Sequence, residues 1–264
     1  MFRRQIELEQ FDHKRLAGQT ALVLGVGGIG TNISIGLCRL GIQRMILVDM
    51  DVVEDHNLNR QQLYSKRHIG VKKVMAAVEV LEGHHNLVTA IEAHHLDALA
   101  NWNIIVALAR ECTVMFQTID HGDSFDYACG ALCRKLSIPM VLGGTEPFFG
   151  HLASTFFQPS EDTEPCYACV HDMLPPLDVA KIETYEDVSF LPPDTHPPIG
   201  GSTTYSASAC SQLMLSQWTT YLMRDLYEEE YIIKHTLILR LIPMELEAWR
   251  CERNPSCTSC GETT

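Results

Sequence analysis

The chain has 264 residues, of which 46% are hydrophobic, and its formal net charge is -13 at pH 7. This length can bury a sizeable core, and we expect one domain with a long excursion. The acidic charge argues against a nucleic-acid-binding protein, whose surface would be basic. No apolar run approaches the ~20 residues of a membrane span, and acidic residues instead of a signal-peptide core follow Arg3 and Arg4, so we predict a cytoplasmic protein.

Strands and helices are predicted to alternate through residues 1–145. The apolar run at 20–24 is typical of a parallel strand that is buried on both faces. A glycine-rich turn, a helix at 31–40 and a strand at 45–48 follow it within about thirty residues, which is the unit of a doubly wound sheet. Further helices are predicted near 71–82, 100–110 and 125–136, and further strands near 88–93, 113–119 and 139–142. The pattern predicts an α/β fold with a Rossmann-like, mostly parallel sheet.

The character of the sequence changes in the second half, 146–264. An aromatic, β-rich segment at 151–157 predicts that antiparallel strands continue the sheet. Residues 174–201 are rich in Pro, Asp and Thr and predict an exposed crossover loop. A long helix and a strand are expected after this loop, at 202–226 and 231–241.

The glycine-rich turn predicts a nucleotide site. Gly25, Gly27 and Gly30 match G-x-G-x-x-G, a turn that lets backbone N–H groups approach phosphates at the start of a helix. Asp49 ends the next strand, where a carboxylate can accept hydrogen bonds from ribose hydroxyls. Both NAD-binding and ATP-binding proteins use these features, so on their own they leave the chemistry open.

The segment that follows favours ATP. It carries a carboxylate, two amides and two cations, namely Asp51, Asn57, Gln61, Arg60 and Lys73. A triphosphate that releases pyrophosphate needs such cations, whereas the backbone largely holds the diphosphate of a nicotinamide cofactor. An NAD-dependent oxidoreductase, the alternative from a different class, leaves this cluster unexplained.

Two Cys-x-x-Cys pairs lie far apart in the chain. Cys166 and Cys169 form the first pair, and Cys257 and Cys260 form the second. Four thiolates suit the tetrahedral coordination of Zn²⁺, so the repeated spacing predicts one structural zinc that fastens the end of the chain to its middle. Two unrelated thiol pairs, or a redox motif, remain the alternatives.

These motifs, in this order, resemble the ThiF/MoeB/HesA family of ubiquitin-activating-enzyme-like adenylyltransferases. The resemblance runs from Arg4 through the glycine turn, the string Asn-Leu-Asn-Arg-Gln at 57–61, Lys73 and Asp120 to both cysteine pairs. It implies a homodimer that uses ATP and Mg²⁺ to adenylate the C-terminal carboxylate of a small ubiquitin-like protein or peptide. It also implies a single domain made of a nucleotide-binding half and a substrate-binding half that carries the zinc.

The resemblance assigns roles to individual residues. Gly27 and Gly28 would line the phosphates, and Asp49 would hold the ribose. Asp120 would bind Mg²⁺, and Arg4 would reach the γ-phosphate of the opposite subunit. The residues that would neutralise the triphosphate are Asn57, Arg60, Gln61 and Lys73.

Plainer roles exist for four of these residues. Arg60 and Lys73 can be solvated surface charges, Asp120 can cap a helix, and Arg4 can belong to a tail. Their joint occurrence in family order favours the nucleotide site for all but Arg4, where the plain reading stays open.

The sequence departs from the family pattern at two places. No cysteine occurs at 170–209, and Cys210 falls inside a predicted helix, where burial would raise the pKa of its thiol. We therefore expect activation without covalent transfer through a loop cysteine. His121 and Asp123 follow Asp120 in place of the usual residues, and we expect Asp123 to be a helix N-cap rather than a metal ligand.

The leading hypothesis is an ATP-dependent adenylyltransferase that activates a sulfur-carrier or other ubiquitin-like protein as an acyl-adenylate and releases pyrophosphate. Adenylation of a ribosomally made peptide, as in microcin-type synthesis, is the first alternative. Activation of a eukaryotic ubiquitin-fold modifier is the second. A non-catalytic adaptor with a degenerate ATP site is a further class, against which the intact cations and Asp120 argue.

Overall fold

The computed structural model describes residues 1–85, 88–145, 151–158, 164–171, 177–193, 203–227, 235–241, 244–257 and 259–260. Within these ranges one eight-stranded sheet carries helices on both faces. Its strands are β1 (Thr20–Leu24), β2 (Arg44–Val48), β3 (Ala90–His94), β4 (Val114–Gln117), β5 (Met140–Thr145), β6 (His151–Phe157), β7 (Thr236–Leu241) and β8 (Met244–Trp249).

The strand order is β3-β2-β1-β4-β5-β6-β7-β8. Strands β1 to β5 run parallel to one another, and the pairs β5–β6, β6–β7 and β7–β8 are antiparallel. Only five residues separate β5 from β6, which is too short for the crossover of a dozen or more residues that a parallel pair requires. The prediction of a mostly parallel sheet continued by antiparallel strands is confirmed.

The order of the strands indicates where a ligand binds. Strands β2 and β4 lie on opposite sides of β1, so the winding of the chain reverses between β1 and β4. Open α/β sheets bind ligands at such a switch point, beyond the carboxyl ends of the strands. Gly25 follows β1 and Thr118 follows β4 at this edge.

The helices cover the two faces of the sheet. They are α1 (Arg3–Ile6), α2 (His13–Ala17), α3 (Gly28–Leu40), α4 (Lys73–Val80), α5 (Trp102–Ala109), α6 (Asp123–Leu136), α7 (Tyr167–His171) and α8 (Thr204–Met223). Helices α3 and α8 contribute to one hydrophobic core, and α5 and α6 contribute to the other. The predicted alternation of strands and helices is confirmed, although α3 begins at Gly28 and β4 ends at Gln117. None of the described helices is long and apolar enough to cross a bilayer.

Alternating residues of the sheet fill both cores. On β4, Met115 faces the core of α5 and α6, while Phe116 faces that of α3 and α8 and packs edge-on against Trp218 at 5.5 Å. Helices α3 and α8 approach closely because Gly36 has no side chain, and an added Cβ there would lie 2.3 Å from a methyl carbon of Leu215. Helix α8 is thereby held beside the helix that begins at the glycine turn.

The excursion that we expected to be exposed at 174–201 is mostly exposed where the structure describes it, but three of its residues are buried. Ile182, Val188 and Leu191 are at most 1% exposed. The indole Nε1 of Trp102 donates a hydrogen bond of 2.8 Å to the carbonyl oxygen of Ile182. The expectation of an exposed segment holds for most of its described residues, and these three apolar side chains anchor the segment to the second core.

Parts of three predictions lie outside the described residues, namely 174–176 and 194–201 of the excursion, residue 202 of the long helix and 231–234 of the last expected strand. Strand β7 covers the described remainder of that strand. Strand β8 was not predicted. Its sequence, Met-Glu-Leu-Glu-Ala-Trp, alternates apolar and acidic residues, and this period of two could have identified it.

Candidate nucleotide site and cysteine cluster

The glycine turn is packed against strand β4. Gly25 has a positive φ of 87°, and a Cβ added there would lie 2.9 Å from the carbonyl carbon and oxygen of Thr118. A Cβ at Gly30 would lie 2.0 Å from the carbonyl oxygen of Gly25. Side chains are therefore excluded at both positions, and the first turn of α3 lies directly against the end of β1.

The middle of the turn faces the segment that the sequence predicted to bind phosphates. Among the described residues, an added Cβ at Gly27 would meet only the side-chain amide nitrogen of Gln61, at 3.8 Å. One at Gly28 would lie 3.5 Å from both Ala207 of α8 and the aliphatic part of Arg60. The structure thus brings together the start of α3, the Asn-Leu-Asn-Arg-Gln string and the start of α8.

Asp49 fixes the turn from the neighbouring strand. Its carboxylate is 8% exposed, and its Oδ2 accepts a hydrogen bond of 2.7 Å from the Val26 N–H. Its Oδ1 accepts another of 2.8 Å from the Asp51 N–H. Each carboxylate oxygen has two lone pairs, so Asp49 retains the capacity to accept hydrogen bonds from a ribose.

Lys73 is paired with Asp51. Its ammonium nitrogen lies 2.7 Å from Asp51 Oδ2, and Lys73 is 6% exposed although it begins a helix at the surface. Asp51, which we expected to contact the cofactor, provides the counter-ion of Lys73. The interpretation of Lys73 as a solvated surface charge is wrong.

Tyr64 joins the turn to the start of α4, a role that sequence reasoning missed. Its hydroxyl donates to the carbonyl oxygen of Val26 at 2.8 Å and lies 3.3 Å from that of Lys73. Val26 is consequently held at both its N–H and its carbonyl. No sequence pattern signals this contact, because Tyr64 and Val26 are 38 residues apart.

Two buried amides border the turn. Asn57 is 4% exposed, and its Oδ1 caps a short helical turn by accepting from the Glu54 N–H at 3.0 Å. Gln61 is 3% exposed, and its Oε1 has no hydrogen-bond partner within the described ranges. A buried polar atom without a partner is costly, so the orphaned amide of Gln61 fits a site that a polar ligand completes.

Arg60 presents a cation beside the turn. Its guanidinium donates to the carbonyl oxygen of His56 and to the Oδ1 of Asn59, both at 2.9 Å. Both acceptors are neutral, and no ion pair to Arg60 occurs in the part of the chain that the structure describes. Its positive charge is available to a phosphate.

Asp120 lies beyond the end of β4. Thr118, two residues earlier, donates from its N–H to the carbonyl oxygen of Leu24 at 2.8 Å and from its hydroxyl to that of Gly25 at 2.9 Å. These bonds attach the segment after β4 to the glycine turn. Asp120 itself is exposed, and its carboxylate has no hydrogen bond or ion pair to the described residues. An exposed, unpaired carboxylate at this edge has the donor chemistry that suits Mg²⁺.

Neither Asp120 nor Asp123 caps helix α6. Gly122 occupies the N-cap position with a φ of 99°, and Asp123 is the first helical residue. The side chain of Asp123 instead accepts a hydrogen bond of 3.0 Å from the Tyr167 hydroxyl. The N-cap expectation for Asp123 is wrong because Gly122 reaches a positive φ that lets the chain enter the helix one residue earlier.

Asp126, which sequence reasoning did not single out, has the most perturbed carboxyl group near the site. The residue keeps partial solvent exposure, yet burial of its carboxyl raises the pKa to about 7. A hydrogen bond of 2.8 Å from Gln117 Nε2 opposes the rise in the pKa of Asp126, and the charges of Asp123 and Asp120 reinforce it.

Arg4 is far from the glycine turn of its own chain. Its neighbour Gln5 donates to the carbonyl oxygen of Arg39 at 3.4 Å, and Phe2 covers Gly41. Both contacts lie at the last turn of α3, a 13-residue helix of about 20 Å whose first turn faces the candidate site. The structure therefore does not bring Arg4 to this site within one chain.

The four cysteines of the two pairs come together as predicted. The Sγ atoms of Cys166 and Cys169 are 3.8 Å apart, those of Cys166 and Cys257 are 3.7 Å apart, and those of Cys169 and Cys260 are 3.5 Å apart. All four sulfurs lie within 4.8 Å of one another and could hold a metal ion. Burial opposes ionisation of Cys260, but hydrogen bonds from Cys166 and Cys169 outweigh it and lower the pKa of Cys260 to about 7.

A buried histidine ties the cysteine cluster to the sheet. His235 is 1% exposed, its Nε2 lies 3.0 Å from Glu164 Oε2, and its Nδ1 accepts from the Cys251 N–H at 3.1 Å. The ring therefore carries its proton on Nε2 and donates it to Glu164. Sequence reasoning missed this contact, which joins the segment before Cys166 to the segment before Cys257.

We predict that Asp126→Asn stabilises the protein more at pH 8 than at pH 5. The raised pKa means that the folded protein resists ionisation of this carboxyl, so its charge costs stability as the pH rises from about 4 to about 7. Asn keeps the acceptor for Gln117 and removes the charge. Denaturant unfolding at both pH values measures the difference, with Asp123→Asn as the control for loss of a charge in the same helical turn. An advantage that does not grow with pH contradicts the prediction.

The sequence matches the ThiF family over residues 2–259. Adenylyltransferase and sulfurtransferase MOCS3-1 of Zea mays is 27% identical over 164 residues, which cover 62% of this chain and 33% of the maize protein. The chain spans about a third or less of the length of the first curated relatives that it matches. Sulfur carrier protein adenylyltransferase of Thermus thermophilus is 31% identical over 182 residues, 66% of this chain and 65% of that protein. SAMP-activating enzyme E1 of Haloferax volcanii is 26% identical over 251 residues, 94% of this chain and 82% of that protein.

Solved structures agree with the fold. MccB of E. coli, crystallised with ATP, superposes with a TM-score of 0.72 at 20% identity and covers 94% of this chain and 68% of MccB. PaaA superposes with a TM-score of 0.66 at 18% identity, over 92% of this chain and 67% of PaaA. Because the family match extends over nearly the whole chain and the fold agrees with it, this protein belongs to the ThiF family.

Proposed function

We propose that this protein is an ATP-dependent adenylyltransferase that joins AMP to the C-terminal carboxylate of a small ubiquitin-like or sulfur-carrier protein and releases pyrophosphate. The observation that carries the proposal is the arrangement of Arg60, Lys73 and Asp120 around one glycine turn. The names of the Thermus and Haloferax relatives, a sulfur carrier protein adenylyltransferase and a SAMP-activating enzyme, support this reaction class.

The reaction needs alignment and charge stabilisation more than acid or base catalysis. A carboxylate is already ionised at neutral pH and can attack the α-phosphorus in line. Negative charge then develops on the departing pyrophosphate, and cations that are already in position stabilise it. Arg60 supplies such a cation from beside Gly28 without a carboxylate partner in the described structure.

Lys73 has a second contribution to make. Its ammonium is held 2.7 Å from Asp51 in a nearly buried position. When a triphosphate enters, Lys73 can share its three N–H donors between Asp51 and a phosphate oxygen. Asp51 therefore orients Lys73 in this proposal and does not itself need to contact the nucleotide.

Asp120 would hold Mg²⁺ at the edge of the site. Its exposed and unpaired carboxylate fits a hard cation that prefers oxygen ligands and retains several waters. The ion, when bound, would neutralise charge on the triphosphate. Asp49 would contribute separately, by holding the turn through Val26 and accepting from the ribose.

Covalent transfer through Cys210 is not part of the proposal. Cys210 is fully buried in α8, and burial raises the pKa of its thiol to about 12. A protonated, inaccessible thiol is a poor nucleophile. This supports activation that stops at the acyl-adenylate, or that passes it to an acceptor outside this chain.

A peptide substrate is the first alternative within the same chemistry, and a eukaryotic ubiquitin-fold modifier is the second. The structural likeness to MccB concerns the fold and does not choose between these substrates. An NAD-dependent oxidoreductase remains disfavoured because it gives no role to Arg60 or to the Lys73–Asp51 pair. Exchange experiments with a sulfur-carrier protein, a peptide and a ubiquitin-fold modifier separate the three candidate substrates.

The proposed enzyme acts as a homodimer. Arg4 is exposed and lies about one helix length from the turn of its own chain, so it can reach a triphosphate only in another copy. Apolar side chains of Met50, Val52 and Met75 near the site are 41% to 57% exposed, and burial against a second copy would remove them from water.

The cysteine cluster is proposed to hold one structural Zn²⁺. Tetrahedral coordination with Zn–S bonds of about 2.3 Å separates the sulfurs by about 3.8 Å. The described Sγ separations of 3.5 to 3.8 Å match this value. The ion would fasten the segment that contains Cys166 to the segment that contains Cys257, at a distance from the glycine turn.

ATP–[³²P]pyrophosphate exchange tests the function. We expect exchange with a small ubiquitin-like protein that ends in Gly-Gly, and a loss of at least about 100-fold in Asp120→Ala because charge stabilisation of the phosphates is removed. Glu82→Ala, which removes an exposed carboxylate in the segment 81–85 after α4, is the control and should exchange normally.

Each outcome of the exchange experiment has a clear meaning. Exchange with a peptide alone would replace the protein substrate by the peptide alternative. Absence of exchange with every such substrate would contradict the proposed activity, and full activity of Asp120→Ala would remove Asp120 from its role.

Zinc analysis tests the cluster. We expect about one zinc per chain, and a loss of zinc and of thermal stability in Cys260→Ser, because a neutral hydroxyl is a poor ligand for this ion. Cys112→Ser is the matched control, since its Sγ donates to Leu108 far from the cluster and a serine hydroxyl can do the same. Zinc content that is equal in both variants contradicts the assignment.

Mixing two inactive variants tests the composite site. In this proposal Arg4 of one chain contributes to the site of its partner, and Asp120 contributes to the site of its own chain. Arg4→Ala removes the first contribution and Asp120→Ala removes the second. A mixed dimer restores one complete site, so we expect exchange to recover up to about a quarter of the wild-type level if subunits reassort randomly. Two variants that stay inactive when mixed, while sedimentation shows mixed dimers, contradict the action of Arg4 across subunits.

A further inference from the structure

The side chain of Gln117 holds the main chain of Ile119 at two points. Gln117 is the last residue of β4 and is 2% exposed. Its Nε2 donates to the Ile119 carbonyl oxygen at 2.9 Å, and its Oε1 accepts from the Ile119 N–H at 3.2 Å. The carboxamide thus pairs with Ile119 as a neighbouring strand would, at the point where β4 ends.

The same carboxamide is fastened to helix α6. Gln117 Nε2 donates its second N–H to Asp126 Oδ1 at 2.8 Å. Both amide hydrogens and the amide oxygen are therefore used, which fixes the orientation of the group. A buried carboxamide with three satisfied bonds resists rotation, because any other orientation leaves polar atoms without partners.

Asp120 is the next residue after the segment that is held in this way. Its own carboxylate makes no bond to the described residues, so the backbone at Ile119 determines where the carboxylate is presented. On the other side, the hydroxyl of Thr118 binds the carbonyl oxygens of Leu24 and Gly25, both at 2.9 Å. Asp120 therefore directly follows a segment at the end of β4 that hydrogen bonds fix both to the glycine turn and to α6.

We infer that Gln117 is a positioning residue for the proposed adenylation. It holds the backbone so that the carboxylate of Asp120 is presented to a magnesium ion on the triphosphate. The inference rests on the proposed function. Gln117 does not touch the nucleotide in this account; it acts through Ile119 and is anchored by Asp126.

The chemistry of position 117 distinguishes positioning from space filling. A methionine has nearly the volume of glutamine and would fill the same space without any of the three bonds. A glutamate keeps one acceptor but directs a second oxygen at the carbonyl of Ile119 and at the carboxylate of Asp126, where two donors are required. Gln117→Met and Gln117→Glu should therefore both release Asp120, and Gln117→Glu should do so more strongly.

The test is equilibrium binding of a non-hydrolysable ATP analogue during a Mg²⁺ titration. We expect Gln117→Met to raise the Mg²⁺ concentration for half-maximal binding about tenfold, the size expected for loss of a hydrogen bond to a charged group. Binding of the analogue without Mg²⁺ should stay unchanged. Gln217→Met is the matched control, because it removes another buried amide, bonded to Ser154 and His235, without contact to Asp120.

Coupling to Asp120 provides the second readout. If Gln117 acts through Asp120, Gln117→Met should add no further Mg²⁺ defect to Asp120→Ala, whereas independent sites give additive losses. An unchanged Mg²⁺ midpoint in Gln117→Met, or additive losses in the double variant, overturns the inference. Should Gln117→Met not fold, Gln117→Glu is judged by the same two measurements.

The failure of the inference differs from failure of the proposed function. A wild-type protein that binds the analogue without any dependence on Mg²⁺ overturns the role of Gln117 and the magnesium role of Asp120, whereas absence of pyrophosphate exchange overturns the proposed adenylation. A wild-type protein with Mg²⁺-dependent binding and a Gln117→Met variant with the same midpoint overturns only the role of Gln117.

Discussion

The hydrogen bonds of the Asp49 carboxylate are the interaction on which the rest of the site depends. They join the N–H of Val26, in the glycine turn, to the end of the neighbouring strand and to the N–H of Asp51. The carboxylate of Asp51 pairs with the ammonium of Lys73. The hydroxyl of Tyr64 contacts the carbonyl oxygens of both Lys73 and Val26. A closed ring of polar contacts thus surrounds the turn, so that movement of one member displaces the others.

In the proposed function this ring orients the backbone for phosphate binding. Since Asp49 and Tyr64 hold the N–H and the carbonyl of Val26, the peptide groups of Gly27 and Gly28 are left to face a ligand. The remaining groups come from elements that the sheet brings to the same edge, with cations on one side and the carboxylate of Asp120 on the other. In the proposed function the site is largely built before the nucleotide arrives, which would favour electrostatic stabilisation without reorganisation.

The second constraint is the closure of the antiparallel half. The cysteine cluster joins α7 to the segment near residue 257, and His235 adds a buried bond between Glu164 and Cys251. These contacts hold the last strands against the parallel sheet without touching the glycine turn. In the proposed function the cysteine cluster is therefore architectural, and the buried Cys210 is consistent with that division.

The sequence predicted those features whose signal is local or paired. The glycine turn, Asp49 at a strand end and the repeated cysteine spacing each carry their chemistry within a few residues. As expected, the described structure joins Asp49 to the glycine turn and, separately, gathers the four cysteines. Gln117 and Tyr64 were missed because their roles exist only through contacts that folding creates.

The errors have the same origin. Asp123 looked like a cap because the conformation of Gly122 is invisible in the sequence. The polar composition of the excursion predicted its exposed residues but not the three apolar residues that anchor it. Local composition therefore predicts a secondary-structure element well, but it predicts the tertiary contacts of that element poorly.

Transfer of label from ATP to the substrate tests the central claim most directly. The protein is incubated with a small ubiquitin-like protein and either [α-³²P]ATP or [γ-³²P]ATP, and the substrate is analysed at low pH, where an acyl-adenylate survives. The account predicts label on the substrate from the α-phosphate alone, and its loss when the C-terminal carboxylate is amidated. Label from the γ-phosphate, or α-label that persists after amidation, would contradict adenylation of the C-terminus.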